Sequence, residues 1–368
     1  MYTSGSTGFP KGVVSTHRNI TSSLNVLAAM AYLTELVFGE ENSPYPIVLC
    51  PVPLFHVTGL IAVFLPIFFG AHKIVLMKKW NVEEALVLIE RERVTRVTGV
   101  PTIMWEITHS PNRDKYDLSS LKSFGAGGAP VPPSHVERLR SVLPSATPTQ
   151  GYGLTETNAI TCFNAASDYT ERPLSCGRPI PVVNVKVVDE RGHTLPPNTR
   201  GELLVRGPTV MKEYWRRKED TAKAVDKDGW FRTGDVALID EDGYVFIVDR
   251  AKDIIIRGGE NISCAEVEAA LYAHPAVRQA VVVGIPHARL GECVGAVVSL
   301  HPSSSVHPKE KVDGHAISSF VARRLARYKV PEIVHVWNEL PTLATGKFDK
   351  KEIRKALSEY EAQRKARL

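Results

Sequence analysis

The sequence has few cysteines, little net charge and no long apolar run. Its five cysteines are odd in number and scattered, without a Cys-x-x-Cys pair, which excludes a dense disulfide scaffold and argues against a zinc site. The formal net charge of +5 is too small to predict a nucleic acid partner. With 43% hydrophobic and 23% charged residues over 368 positions, the composition is that of a globular protein with room for two domains.

The most apolar stretch is GLIAVFLPIFFG at 59–70. It is too short for a bilayer span, which needs about 20 residues, and Pro66 interrupts it. We therefore interpret it as a buried helix, and we expect no transmembrane segment. No charged segment followed by an apolar core opens the chain, so the sequence predicts no secretory signal.

The pattern of apolar residues predicts an α/β fold. Strand-like and helix-like patterns alternate over the first 150 residues, which is typical of a parallel sheet with crossover helices. After Arg178, VVNVKVVDERGHTLPPNTRGELLVRG predicts two strands joined by a turn, and hence an antiparallel β subdomain. Ser263 and Glu266 have capping-box spacing and predict a helix that begins a smaller α+β domain. Within that domain, ISSFVARRLARYKV at 317–330 predicts a further helix. We expect a large domain at 1–250, divided into an α/β part (1–175) and a β subdomain (176–250), and a small domain at 251–368.

The chain opens with YTSGSTGFPKG, a tract of small and hydroxylated residues that ends in Lys11 and Gly12. Glycines permit sharp turns, and N–H groups, hydroxyls and a lysine can bind phosphate oxygens. The spacing differs from the P-loop G-x-x-x-x-G-K-[ST], because Pro10 stands where the second glycine belongs. A flexible Ser/Gly-rich terminus is the alternative. The candidate phosphate ligands are Thr3, Ser4, Gly5, Ser6, Thr7, Gly8 and Lys11.

Five stretches together resemble the signature segments of the adenylate-forming (AMP-binding) superfamily, which includes acyl-CoA synthetases and 4-coumarate-CoA ligases. They are YTSGSTGFPKGVVSTHRN at 2–19, GYGLTET at 151–157, WFRTGD at 230–235, VDRAKDIIIRGGEN at 248–261 and LPTLATGKFDKKEIR at 340–354. The resemblance implies a large α/β domain with a small β-barrel-like subdomain, followed by a mobile C-terminal domain. Because relatives carry a substantial segment before the phosphate loop, we expect an N-terminally truncated member.

The resemblance implies a role for each matched residue. In GYGLTET, Tyr152 would pack on adenine, Thr155 would contact phosphate and Glu156 would hold Mg²⁺; a turn with a helix N-cap at Thr155 is the alternative. Asp235 and Arg250 would bind the ribose, and Lys252 would be the hinge of the small domain. Further candidate contacts to the nucleotide or thiol carrier are Gly128, Ala129, Gly151, Gly153, Gly258 and Gly259.

Two residues are expected to act on the reacting groups. Lys347 corresponds to the lysine that reaches from the small domain to the carboxylate and the α-phosphate; an exposed surface lysine is the alternative. His56, in PLFHVTGL, corresponds to the residue that gates acid and thiol; a core histidine is the alternative. Two residues depart from common relatives: Ile256 stands where many have lysine, and Cys264 replaces a proline.

The implied reaction joins a carboxylic acid to CoA, with consumption of ATP, through an acyl-adenylate. PLFHVTGL has no Asp to pair with an amino-acid ammonium, and the candidate acyl wall is apolar or small, which favours a medium- or long-chain fatty acid. The wall consists of Val57, Leu60, Ile61, Val63, Phe64 and 125–129. The alternatives are an aryl acid of the 4-coumarate type and a truncated, non-catalytic remnant that binds nucleotide.

The last three residues, Ala366, Arg367 and Leu368, fit a variant of the small-basic-Leu peroxisomal address. A frayed basic helix end is the alternative reading of this tail. We therefore expect a cytoplasmic or peroxisomal protein, in the second case with the peroxisomal import receptor as a partner.

Overall fold

The computed structural model describes residues 1–3, 10–38, 46–70, 73–129, 131–301, 312–343 and 346–366. The chain forms two compact units. The first consists of Met1–Thr233 and Ala237–Ile247, and the second of Gly234–Val236 and Val248–Leu368. Of the predicted residues, Ser4, Gly5, Ser6, Thr7 and Gly8 of the opening loop, and Arg367 and Leu368 of the tail, lie outside the described ranges.

The strands follow in chain order. They are β1 (Tyr2–Thr3), β2 (Lys11–Val14), β3 (Ile47–Cys50), β4 (Lys73–Leu76), β5 (Arg96–Gly99), β6 (Ser123–Gly127), β7 (Thr147–Tyr152), β8 (Cys162–Ala165), β9 (Arg178–Pro179), β10 (Asn184–Val188), β11 (Gly201–Arg206), β12 (Glu213–Tyr214), β13 (Phe231–Ile239), β14 (Val245–Arg250), β15 (Ile255–Arg257), β16 (Glu260–Ile262), β17 (Val277–His287), β18 (Gly291–Leu300) and β19 (Ile333–Val336).

The α-helices of the described residues alternate with these strands. They are α1 (His17–Phe38), α2 (Ile67–Gly70), α3 (Val82–Glu92), α4 (Pro101–His109), α5 (Pro133–Val142), α6 (Ala166–Glu171), α7 (Lys218–Ala224), α8 (Cys264–Tyr272), α9 (Gly314–Ala322) and α10 (Lys350–Ala366).

A mixed sheet forms the centre of the first unit, with the strand order β4-β3-β5-β6-β7-β8-β9. The strands from β4 to β7 pair in parallel, and β8 and β9 continue the sheet antiparallel. Leu49, Phe124 and Ile89 are fully buried in the core that covers this sheet. The predicted parallel sheet with helices is confirmed, because alternating strand and helix patterns require crossover connections.

Two smaller sheets carry the rest of the first unit. The predicted hairpin is present as the antiparallel pair β10 and β11, in the sheet order β10-β11-β13-β14. A three-stranded sheet has the order β1-β2-β12. Strand β2, which follows the opening loop, therefore pairs with a segment about 200 residues later in the chain.

The second unit is a small α+β fold. Its sheet has the order β16-β15-β18-β17, and β19 pairs in parallel with β18. The predicted helix start is confirmed, since Ser263 Oγ accepts a hydrogen bond from the Glu266 N–H at the start of α8. Helices α8 and α9 cover one face of this sheet through Val267, Ile317 and Val321.

Two predicted helices differ from the structure. The apolar stretch at 59–70 forms a π-helical segment, Thr58–Phe64, and the separate short helix α2, because Pro66 cannot continue the first. Phe68 on α2 is 72% exposed, so the interpretation of the whole stretch as buried was wrong. The helix expected around 317–330 ends at Ala322, and a 3₁₀ turn follows at Arg327–Lys329. Among the described helices, none combines the length and apolarity that a membrane span requires.

Candidate active site

The two ends of the opening loop lie side by side. Thr3 and Lys11 are register partners in the antiparallel pair β1 and β2. Lys11 Nζ lies 3.2 Å from Asp220 Oδ2 on α7 and 5.0 Å from the ring centroid of Tyr214. The lysine proposed to bind phosphate is thus held in place by an acidic partner and an aromatic face.

Glu156 is buried and is hydrogen-bonded within the same cluster. It lies in the 3₁₀ turn Thr155–Thr157 and is 7% exposed. The Tyr214 hydroxyl donates a 2.7 Å hydrogen bond to Glu156 Oε1. Burial first, then the negative charges of Glu156 and Asp220, raises the pKa of Tyr214, so the phenol remains a hydrogen-bond donor. Tyr214 therefore links the lysine of the opening loop to the carboxylate of GYGLTET.

Sequence reasoning missed Tyr214 and Asp220. Both follow the pair Gly207 and Pro208 in the stretch RGPTVMKEYWRRKED, where no local pattern indicates a binding site. Their position depends on the long-range pairing of β12 with β2 and on the hydrogen bond from the Met211 N–H to the Glu156 carbonyl (2.7 Å). The one available signal was an aromatic pair, Tyr214 and Trp215, shortly before the acidic start of α7.

The glycine and alanine candidates of the first unit lie at the carboxyl ends of two parallel strands. Gly127 of β6 pairs in register with Gly151 of β7. Gly128 follows β6 with φ of +77°, and the exposed Ala129 comes next. The carboxyl ends of parallel strands are where open α/β sheets bind ligands. Tyr152, half-buried, ends β7 at this edge.

Gly153 permits a close approach of two backbone segments. A Cβ at this position would lie 1.6 Å from the Ala159 carbonyl oxygen. A Cβ at Gly151 would meet only the Ile160 side chain, at 3.7 Å. The two glycines of GYG therefore differ in their steric role.

Gly153→Ala is expected to lower the free energy of unfolding by about 3 kcal/mol or more, because the clash is with backbone that side-chain motion cannot relieve. Gly151→Ala is the matched control and should stay within about 1 kcal/mol of the parent chain. Urea unfolding followed by circular dichroism measures both. Equal stability of the two variants would contradict the packing described for Gly153.

His56 precedes the π-helical segment and is half-buried. Its Nδ1 accepts a hydrogen bond from the Thr58 N–H at 3.2 Å, which in a neutral ring leaves the proton on Nε2. Next to it, Phe55 lines an open cleft of about 500 Å³ together with Met1, Tyr2, Thr3 and Pro10.

Part of the expected acyl wall belongs to the hydrophobic core of the first unit. Val57 and Ile61 pack in one buried cluster, and Val63 packs against the large sheet. Leu60, Phe64 and the stretch 127–129 keep accessible surface. Only this outer part of the wall can contact a substrate in the conformation described.

The second unit brings together Asp235, Arg250 and Lys347. Asp235 is 2% exposed, and Arg250 Nε lies 3.3 Å from its Oδ1. Burial first, and then the positive charge of Arg250, lower the pKa of Lys347 to about 8, while Asp235 opposes the shift. The arrangement holds a lysine whose charge is poorly solvated beside a carboxylate and a guanidinium.

Lys252 and the glycine pair lie near the start of this unit. Lys252 is exposed in a turn after β14. Gly258 and Gly259 join β15 to β16 with φ of +58° and +89°. Two successive positive φ values are typical of a two-residue hairpin turn and strain any residue with a side chain.

A magnesium ion fits this site only as an ion shared with phosphate. Within the described ranges, no three His, Cys, Asp or Glu side chains come together to hold a metal. Glu156 offers one carboxylate, with one oxygen engaged by Tyr214. Mg²⁺ commonly binds through one or two carboxylates, water and substrate phosphates, and the single carboxylate suits that pattern.

A unit in which Tyr214 joins Lys11 to the buried Glu156, and a small unit with a lysine of lowered pKa beside an Asp-Arg pair, suit an enzyme that handles negatively charged groups. The sequence profile described as "AMP-binding enzyme" matches residues 1–215, and the profile described as "AMP-binding enzyme C-terminal domain" matches 266–347. The chain belongs to the AMP-binding enzyme family.

Its relatives are CoA ligases and synthases. A feruloyl-CoA synthase of Amycolatopsis sp is 40% identical over 356 residues, 96% of this chain and 69% of that protein. A long-chain-fatty-acid–CoA ligase of Bacillus subtilis is 39% identical over 98% of this chain and 61% of that protein. A 4-coumarate–CoA ligase of Pinus taeda is 36% identical over 97% and 65%. The chain thus spans about two thirds of the length of these relatives.

Solved structures share the fold. ATP-bound MatB from Rhodopseudomonas palustris matches with a TM-score of 0.83 and 30% identity, over 98% of this chain and 68% of that one. The o-succinylbenzoate CoA synthetase of Bacillus subtilis, in complex with its acyl-adenylate intermediate, matches with a TM-score of 0.80 and 31% identity, over 96% and 68%.

Proposed function

We propose that this protein activates an apolar carboxylic acid with ATP and transfers the acyl group to CoA. The observation that carries the proposal is the grouping of Lys347 with Asp235 and Arg250, a lysine of lowered pKa beside a buried carboxylate. Such perturbed groups are typical of functional sites. Similarity to CoA ligases along nearly the whole chain supports the same activity.

The reaction has two steps. In the first, a carboxylate oxygen of the acid bonds to the α-phosphorus of ATP, and the bond to the β-phosphate oxygen breaks to release pyrophosphate. In the second, the CoA sulfur bonds to the acyl carbon, AMP leaves, and the thiol proton goes to solvent. The first step concentrates negative charge, so it needs fixed positive and hydrogen-bonding groups.

Each unit supplies part of these groups. Lys11 would neutralise the departing pyrophosphate, and Glu156 would hold Mg²⁺, whose charge stabilises the phosphates when it is bound. Asp235 would accept hydrogen bonds from the ribose hydroxyls, and Arg250 would donate to the hydroxyl oxygens. Lys347 would bind the attacking carboxylate and the α-phosphate.

A medium- or long-chain fatty acid is the proposed substrate. The lining of the cleft beside His56 is mostly apolar, and the fatty-acid ligase of Bacillus subtilis is among the relatives. An aryl acid is the second candidate, because the feruloyl-CoA synthase and the 4-coumarate–CoA ligase are similarly close.

Exchange of radiolabelled pyrophosphate into ATP tests the proposal on the chain as it stands, with a panel of saturated fatty acids and hydroxycinnamates. Exchange that depends on a fatty acid is the expected result, whereas exchange with hydroxycinnamates alone would reassign the substrate. A thermal shift with AMP, without exchange for any acid, would instead favour a nucleotide-binding remnant.

The rate of adenylation should fall at alkaline pH. Since the pKa of Lys347 is lowered from 10.5 to about 8, its ammonium is complete below that pH and is lost above it. We expect kcat/KM for ATP to fall about tenfold per pH unit above about pH 8, because kcat/KM reports the free enzyme. In Lys347→Arg the fall of kcat/KM above about pH 8 should disappear, since a guanidinium stays charged. If the fall persisted in that variant, the titration would belong to another group.

A further inference from the structure

The start of α10 is tied to α8 by an ion pair. Lys350 Nζ lies 3.0 Å from Glu268 Oε1, and the two side chains are 32% and 16% exposed. Glu268 Oε1 also accepts the Val282 N–H of β17 at 2.9 Å. Burial alone would lower the pKa of Lys350, but Glu268 and neighbouring acidic groups raise it above its ordinary value, so the lysine remains charged.

Only two residues separate Lys347 from Lys350 along the chain, and their contacts restrain the backbone between them. The Leu343 N–H donates to the Lys347 carbonyl at 2.7 Å, and Thr342 forms a β-bridge with Phe348. Phe348 packs against a buried cluster of the second unit. Asp349 then caps α10, its Oδ1 accepting the N–H groups of 351 and 352 at 3.1 Å each. A shift of Lys350 would therefore move the backbone that carries Lys347.

The N-terminal end of α8 is bonded close to the Asp235–Arg250 pair. Asp249 Oδ2 accepts the Cys264 N–H at 2.5 Å, and Asp249 Oδ1 accepts the N–H of the adjacent Arg250 at 2.8 Å. Helix α8 thus has one end bonded next to Arg250, and Glu268 further along it contacts the segment after Lys347. Helix α8 therefore fixes how far the segment after Lys347 lies from Arg250.

We propose that the Glu268–Lys350 ion pair is a positioning device that holds Lys347 beside Asp235 and Arg250 for adenylation. The proposal rests on the function given above, and neither residue of the pair contacts substrate in it. Misplacing a reacting group by about 1 Å can cost up to about 10²-fold in rate. We expect about a tenfold loss in adenylation when the pair is broken.

Glu268→Gln is the test variant, and Glu266→Gln is the matched control. Glu266 lies on the same helix and forms an ion pair of its own, with Lys329 at 2.6 Å, away from α10. Glu268→Gln should slow pyrophosphate exchange about tenfold, with the thermal shift by AMP unchanged, whereas Glu266→Gln should stay within about twofold. In a Lys347→Ala background, Glu268→Gln should add no further loss. The proposal would be overturned if Glu268→Gln and Glu266→Gln slowed exchange equally, or if Glu268→Gln still slowed exchange about tenfold in the Lys347→Ala background.

A second measurement needs no turnover. Competitive acetylation with acetic anhydride, read by mass spectrometry against pH, reports the titration of the Lys347 amine. In the parent chain and in Glu266→Gln its midpoint should lie at about 8. In Glu268→Gln it should move toward the ordinary value of 10.5, because the amine leaves its poorly solvated place beside Arg250. Lys350→Arg, which keeps the charge, should retain the lower midpoint.

The two measurements separate the possible failures. A parent chain without exchange, but with the expected acetylation midpoints, would reject the proposed function and retain only the placement of Lys347 by the ion pair. An active parent chain with the same Lys347 midpoint in Glu268→Gln would retain the function and reject the positioning role.

Discussion

Lys347→Ala is expected to slow adenylation by about 10² to 10³-fold, the loss of about 3 to 4 kcal/mol of transition-state stabilisation that one preorganised charge supplies. In the proposed reaction the ammonium would face the attacking carboxylate and the α-phosphate, where negative charge accumulates. Pyrophosphate exchange measures this step. Thioester formation from a supplied acyl-adenylate should remain near the parent rate, because that step releases AMP and does not need the lysine.

The control for this variant is Lys351→Ala. Lys351 is an exposed lysine four positions later, in the first turn of α10, and its removal changes the net charge by the same amount. It should leave both half-reactions within about twofold. If Lys347→Ala slowed both half-reactions equally, the lysine would have a structural role and the assignment to adenylation would be wrong.

Glu156→Gln should lower pyrophosphate exchange by about 10²-fold and raise the magnesium concentration needed for half-maximal rate. The substitution removes the negative charge but keeps an oxygen that can accept the Tyr214 hydroxyl, so the fold around it should persist. Magnesium titrations of the exchange rate, together with a melting temperature for each variant, measure the two effects.

Tyr214→Phe distinguishes the effect of the Glu156 charge from that of the Tyr214–Glu156 hydrogen bond. It keeps the Glu156 carboxylate and the ring near Lys11, and loses only the 2.7 Å bond to Glu156. For this variant we expect the exchange rate to fall by less than about tenfold, with an unchanged magnesium midpoint.

If Glu156→Gln instead kept the magnesium midpoint of the parent chain, Glu156 would not be a magnesium ligand.

Local signals predicted the elements that depend on neighbouring residues. The helix at Ser263 follows from the hydroxyl that caps it. The parallel sheet follows from alternation of strand and helix patterns. The cause of the helix start lies within a few residues, and the sheet follows from a pattern over 150 residues, so both can be inferred from the sequence alone.

Contacts between distant segments were not predictable in this way. The ion pair of Lys11 with Asp220 and the hydrogen bond from Tyr214 to Glu156 depend on the pairing of β2 with β12. The helix expected to continue past Ala322 instead ends, and Lys329 in the following 3₁₀ turn is bound by Glu266 of α8. A tertiary contact here outweighs helical periodicity.

The pairing of β2 with β12 also affects how the protein is made. Lys11 is synthesised about 200 residues before Tyr214 and Asp220, its later neighbours. A chain that is still growing on the ribosome cannot assemble this corner until that distant strand has emerged, since contacts of large sequence separation form late. Nascent chains that stop before Asp220 would consequently lack the acidic partner of Lys11, and the phosphate site proposed there would not form during early translation.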